Sequence, residues 1–367
     1  MNRAEMSALQ FVMLMMTMPL VAGFSVYAYL VAQVGVQGWW ITIAVAVSAT
    51  TVLSIPLTYM ARANPDYSLV TVMRLWFGRI VAIIGSLPIV GISLSGGLLI
   101  LWLANQLMSA TILPSASMAT LTSGSVLVAG FLAFLGPVGM ARLNQVVMIL
   151  IVIPLMPPLY GYAVVNVQGT LLRPWAWWPH GLPLSHDFWA LVMLAWSGPL
   201  LIMFTPYVHR PRWTTLYGWS GAISFVILLV LTLGPVGVLG PTILRQTPLS
   251  ELLFFQTTPA TILFIQQLGY VMVVFAIPIF WTAAGICLWV AAQAVTDGLG
   301  RPGWQPWLVV LWSIVLGFLT ATLAVGYSRF FHYLIDWAEA YGVFYLVLLL
   351  VFWPLVSWRQ RHPQVKA

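Results

Sequence analysis

The chain has 367 residues, of which 61% are hydrophobic and only 6% charged, and its mean hydropathy is +0.98. That composition excludes a soluble globular domain and reads as an all-α polytopic membrane protein. The net charge of +7 comes from basic residues scattered through short loops, which is a topology signal, so no nucleic-acid partner is expected.

Apolar runs predict about ten membrane-spanning helices. They lie at roughly 7–34, 38–60, 79–106, 122–139, 143–165, 187–207, 214–239, 259–295, 305–327 and 341–358. The first run is too long for a removable signal peptide and lacks a small-residue cleavage site. Two short interfacial helices are expected, one over 67–78 and one over 245–257. The lipid bilayer is thus the chain's main surroundings, and 1–367 reads as a single membrane domain.

Orientation follows from the basic residues. With the N-terminus cytoplasmic, Arg3, Arg62, Arg74, Arg79, Arg142, Arg210, Arg212, Arg301, Arg359, Arg361 and Lys366 fall inside, eleven of the 14 Lys and Arg residues. Only Arg173, Arg245 and Arg329 fall outside. Ten spans with both termini cytoplasmic satisfy this distribution. The outer loop Arg173-Pro174-Trp175-Ala176-Trp177-Trp178-Pro179-His180 reads as an aromatic belt at headgroup level or as a lid over an outward-facing cavity.

Two spans carry matched interruptions. In span one, Met16-Thr17-Met18-Pro19-Leu20-Val21-Ala22-Gly23-Phe24 places a proline and a glycine four residues apart. In span six, Ser197-Gly198-Pro199 interrupts an apolar run that exits into Arg210-Pro211-Arg212. Proline removes a backbone donor and clashes with the preceding turn, and glycine tolerates non-helical angles. Each break alone is compatible with simple kinking. Because spans one and six open the two halves of a five-plus-five arrangement, about 7–165 and about 187–358, the matched positions point to a transporter-type site.

Freed N–H groups at half-helix starts suit a carboxylate, and freed carbonyls suit an ammonium or a metal ion. No Asp, Glu, Lys, Arg or His is expected at mid-membrane to balance an extra charge, so the natural ligand is a small zwitterion such as an amino acid. Ring faces such as Trp196 or Trp281 are candidates to hold its ammonium. The same absence argues against a proton relay, while a sodium site of carbonyls and hydroxyls remains open. Span three offers Ser93, Ser95, Gly96 and Gly97, for close helix packing or for lining a cavity. Span eight offers Pro278, Trp281, Thr282, Ala283 and Cys287. The single cysteine excludes a disulfide within the chain, and its apolar setting reads as a small buried hydrophobe. No grouping suited to activating water or a nucleophile is found at membrane depth, so no enzymatic activity, cofactor or metal centre is expected.

The chain resembles the B subunits of bacterial spore germinant receptors, a branch of the amino acid–polyamine–organocation (APC) transporter superfamily. Val21-Ala22-Gly23 sits where that family has a small, glycine-containing break. Gln37-Gly38-Trp39-Trp40-Ile41-Thr42 resembles its entry to span two. Pro65-Asp66-Tyr67-Ser68-Leu69 followed by Phe77-Gly78-Arg79 resembles its connection into span three. Gly198 with Pro206 and the basic cluster resembles span six and its exit, and Phe264-Ile265-Gln266-Gln267 the start of span eight. The similarity runs over nearly the whole length, with two departures. Pro199-Leu200 stands where many members carry a carboxylate, and Gln266-Gln267 where they tend to carry charge.

The resemblance implies a leucine-transporter-like (LeuT/APC-like) fold, a 5+5 inverted repeat with helices one and six broken and a ligand pocket between spans one, three, six and eight. It implies a germinant sensor in the inner membrane of the spore, beside an A subunit and a lipoprotein C subunit. Binding of a small nutrient, typically an L-amino acid, would trigger ion release through those partners. Carried onto this sequence, the ligand-binding positions are Val21, Ala22, Gly23, Gly96, Ser197, Gly198, Thr282, Ala283 and Cys287, with helix breaks at Pro19, Gly23, Gly198 and Pro199. The alternative on the same scaffold is a secondary amino-acid transporter, sodium-coupled or uncoupled, working by alternating access.

Overall fold

The computed structural model of the protein describes residues 5–34, 39–149, 186–195, 202–209, 212–247, 253–254, 268–322 and 327–361. Among these residues there is no strand, only one isolated parallel bridge between Met6 and Val208. The helices are α1 (Ala8–Met15), α2 (Thr17–Ser25), α3 (Tyr27–Val34), α4 (Trp39–Ala63), α5 (Leu69–Thr111), α6 (Met118–Phe134) and α7 (Gly136–Val147). Then follow α8 (His186–Ala195), α9 (Trp213–Gln246), α10 (Leu268–Leu299), α11 (Gln305–Thr322) and α12 (Tyr327–Arg361), with 3-10 turns at Ile202–Tyr207 and Pro302–Trp304. Six helices among the described residues are long and apolar enough to cross a membrane, or seven if the bent pair α6–α7 counts as one span. This is the architecture of a polytopic helical membrane protein.

Serine caps set several helix starts. The Ser7 hydroxyl accepts from the Gln10 amide at 3.2 Å, and Gln10 Oε1 accepts from the Ser7 amide at 2.9 Å, a reciprocal capping box. Ser68 and Ser117 cap α5 and α6 by accepting from the Thr71 and Thr120 amides, each at 3.2 Å. Two long helices turn on single glycines in the left-handed region. Gly78 in α5 has φ 86° and ψ 175°, and Gly240 in α9 has φ 76° and ψ 170°, angles that L side chains rarely adopt. Gly78 thereby separates the short helix expected over 67–78 from span three. A bend of 117° separates α6 from α7.

α5 and α10 form the most extensive helix pair, with α6 packed against both. Of the apolar stretch of α10, 78% is buried, against 17% for the stretch that contains α11. The core therefore sits along α10, and α11 is peripheral. α4 packs on α9, and α12 on α8.

One end of the bundle gathers the N-terminal segment and the exit of span six. The Met6 amide donates to the Tyr207 carbonyl at 2.7 Å, the His209 amide to the Met6 carbonyl at 3.0 Å, and His209 Nδ1 pairs with the Glu5 carboxylate. The start of span one and the end of span six thus lie together. At another junction, Arg245 Nε donates to the Ala32 carbonyl at 3.1 Å and Gln33 Nε2 to the Arg245 carbonyl at 3.3 Å, tying the end of α3 to the end of α9.

Candidate functional site

Span one is kinked at Met16 between α1 and α2, where the backbone stays α-helical (φ −72°, ψ −15°), and broken at Val26 (φ −136°, ψ −9°) between α2 and α3. Pro19 and Gly23 lie inside α2, between the kink and the break. Pro19 has no N–H to offer the Met15 carbonyl four residues earlier and crowds it, so its effect falls one turn upstream, beside Met16. At the other end the Ser25 hydroxyl donates to the Val21 carbonyl at 2.5 Å and also reaches the Ala22 carbonyl at 3.4 Å. Such back-bonding to carbonyls three and four residues earlier bends helices. The expected second break, Ser197, Gly198 and Pro199, lies outside the described residues, as does Trp196.

A cavity of about 50 Å³ lies against α2. Met18, Val21, Ala22, Ser25 and Val26 form one wall, and Gly96, Leu99, Ile100 and Leu103 of α5 a second. Met193 and Leu194 of α8, with Phe330, Leu334, Trp337 and Tyr341 of α12, complete it. Among the described residues of this lining there is no Asp, Glu, Lys, Arg or His. The Ser25 hydroxyl is engaged by its own helix, and the Trp337 indole N–H donates to the Ile92 carbonyl at 3.1 Å. Two buried hydroxyls on the lining helices have no partner among the described residues: Thr17 beside Met18 and Ser93 one turn before Gly96.

Val21, Ala22 and Gly96 therefore stand on one cavity. The remaining described positions from the sequence do not join them. Gly23 faces away, where a Cβ would meet Leu231 Cδ1 of α9 at 2.3 Å and Leu228 Cδ2 at 3.4 Å. Its small size admits α9 to the back of α2. Thr282, Ala283 and Cys287 are buried on α10 and absent from the lining. The Thr282 hydroxyl donates to the Pro278 carbonyl at 2.8 Å, and a Cβ at Gly97 would lie 3.3 Å from Cys287 Cβ. Adjacent glycines of α5 point opposite ways, Gly96 toward the cavity and Gly97 toward α10. α10 thus supports α5 from behind, and the fourth wall comes from α12, not from span eight as the resemblance implies. The α12 residues that the sequence reading missed recur at 330, 334, 337 and 341, an inward helical stripe.

A second, polar cavity of about 230 Å³ lies at the end of α10, lined among others by Ser68, Thr71, Arg74, Tyr207, Gln293 and Asp297. The Asp297 carboxylate accepts from the Ser68 hydroxyl and, at 2.8 Å, from Gln293 Nε2. Arg74 Nη1 donates to the Asp297 carbonyl at 2.8 Å. Gly300 (φ 69°) leaves room for this guanidinium, since a Cβ there would stand 2.5 Å from Arg74 Nη1. The cluster ties the α4–α5 connection to the end of α10 beside the exit of span six. The sequence signal for it is Gln293 and Asp297 four residues apart on one helix face. Among the described residues no three or more His, Cys, Asp or Glu side chains are grouped as metal ligands.

Comparison with protein-family models and with curated proteins finds no match for this chain.

Proposed function

We propose that this chain is a ligand-sensing membrane receptor subunit built on a transporter scaffold, of the spore germinant receptor B type. A small neutral L-amino acid binds in the cavity between α2, α5, α8 and α12. Binding biases the protein between two conformations, by no more than the ligand's difference in affinity for them, and an A subunit and a lipoprotein C subunit convert that shift into ion release. The observation that carries the reading is a cavity with no charged residue among its described lining, set against the first span where its helix is kinked at Met16 and broken at Val26. Broken helices beside a midplane cavity are where transporter folds hold their ligands. With no ionisable group in the lining, a net-charged ligand would lack a compensating charge.

Two features support the ten-span 5+5 inverted repeat. The junction of Met6 with Tyr207 and Val208 puts the start of span one beside the end of span six, so the two run in opposite directions. The connections between spans two and three and between spans seven and eight each contain one left-handed glycine, Gly78 and Gly240. The basic-residue distribution supports a cytoplasmic position for the end carrying Met6, Arg74 and Arg301.

The test is equilibrium binding of labelled L-amino acids to the purified protein in detergent, beside an Ala22→Leu variant whose added side chain fills the cavity. Saturable binding lost in that variant supports the reading, and binding unaffected by it contradicts the assignment of the cavity.

A secondary amino-acid carrier, sodium-coupled or uncoupled, is the second reading. The polar cluster around Asp297 favours it, because alternating access needs a bonded closure that releases at one end of the bundle.

A further inference from the structure

The indole of Trp337 lies against Gly96, where a Cβ would meet ring atom Cζ2 at 2.8 Å. The ring is held on three sides. Its N–H donates to the carbonyl of Ile92, one turn before Gly96 on the same helix. Its face stacks on Tyr341 with 5.1 Å between centroids and 14° between planes. Its edge rests where Gly96 has no side chain. Met18 and Met193, by contrast, are unbranched thioethers that adapt to what they touch. A cavity with one immobile wall and several compliant ones discriminates by size at the immobile wall.

The cavity volume is about 50 Å³. An apolar cavity of about 150 Å³ accepts benzene, with six carbons, so one third of that volume takes a group of about two carbons. We propose that Gly96 and Trp337 together set the size limit of the ligand, restricting it to amino acids whose uncharged side chain, the part that enters this cavity, has no more than about two carbons. This rests on the amino-acid reading of the cavity.

The experiment measures binding of glycine, L-alanine, L-2-aminobutyrate, L-valine, L-leucine and L-phenylalanine to the unmodified protein and to Gly96→Ala and Trp337→Leu. The unmodified protein is expected to bind up to L-2-aminobutyrate and to reject valine and leucine. One misfitting methylene in an apolar pocket changes affinity by about 10- to 200-fold. Gly96→Ala pushes the indole edge inward and weakens 2-aminobutyrate by that factor while sparing alanine. Trp337→Leu opens the wall and admits valine. The second variant keeps the test intact should the first fail to fold. Valine bound as tightly as alanine by the unmodified protein, or a size limit that moves in neither variant, overturns the Gly96–Trp337 assignment and leaves the amino-acid reading standing. No binding of any member to the unmodified protein removes the amino-acid reading, and the size limit with it.

Discussion

Leu231 of α9 fills the space that a side chain at Gly23 would need: a Cβ there would lie 2.3 Å from Leu231 Cδ1 and 3.3 Å from Leu231 Cβ. Gly23 is therefore a packing residue, although its neighbours Val21 and Ala22 line the cavity. We expect Gly23→Val to destabilise the fold by about 1–3 kcal/mol, the usual cost of overpacking a core. Leu231→Ala in the same background should recover much of that loss. Thermal unfolding in detergent, followed by tryptophan fluorescence, reads both. A Gly23→Val protein that melts like the parent contradicts the contact.

The thiol of Cys287 is buried against α5 and is the chain's only one. A maleimide should leave the folded protein unmodified and label one site once the protein is denatured. Rapid stoichiometric labelling of the folded protein would show that α10 does not back α5 as described.

Asn105 joins α5 to α6 through two buried side-chain bonds: its Nδ2 donates to Thr122 Oγ1 at 2.9 Å, and its Oδ1 accepts from the Ser125 hydroxyl at 2.7 Å. Hydrogen bonds between membrane helices are worth about 0.6 kcal/mol on average and about 1.7 at most. A double-mutant cycle of Asn105→Ala and Ser125→Ala should return a coupling in that range. No coupling at all would mean that the two side chains do not meet.

Removing the Asp297 carboxylate leaves the Gln293 amide without this acceptor, the Ser68 hydroxyl with Thr71 Oγ1 alone, and Arg74 without its nearby anion. Hydrogen bonds to charged groups contribute about 1.5–3 kcal/mol each, and partial exposure of Arg74 lowers its share. Asp297→Ala should therefore lower the melting temperature more than Gln293→Ala does. Ser68→Ala loses the α5 cap as well, worth about 0.5–2 kcal/mol. Equal melting of Asp297→Ala and the parent would contradict the cluster.

Much of the helical layout was legible because apolar runs report membrane depth directly. The boundary between the interfacial helix and span three falls at Gly78 as the motif Phe77-Gly78-Arg79 suggested, since that glycine takes a left-handed backbone. The last helix begins before its apolar run. Arg329, His332, Asp336 and Glu339 break the apolar run before 341, yet the helix begins at Tyr327. Arg329, His332 and Asp336 are exposed, while Leu334 is buried and joins Trp337 on the cavity. Hydropathy averages over both faces and hides such a stripe, and only its helical period reveals it. At Gly23 and Cys287 the residue type was read correctly as small, but which neighbour uses the smallness is a tertiary fact. No single-sequence pattern specifies that Gly96 meets Trp337 while Gly97 meets Cys287.

The central claim is that the cavity senses a ligand and does not conduct it. Binding and uptake of labelled L-alanine by one proteoliposome preparation test it most directly. The account predicts saturable binding with no accumulation above that of empty liposomes, whether or not a sodium or proton gradient is imposed. Accumulation that follows either gradient, and disappears in Ala22→Leu, would contradict it and make the protein a carrier.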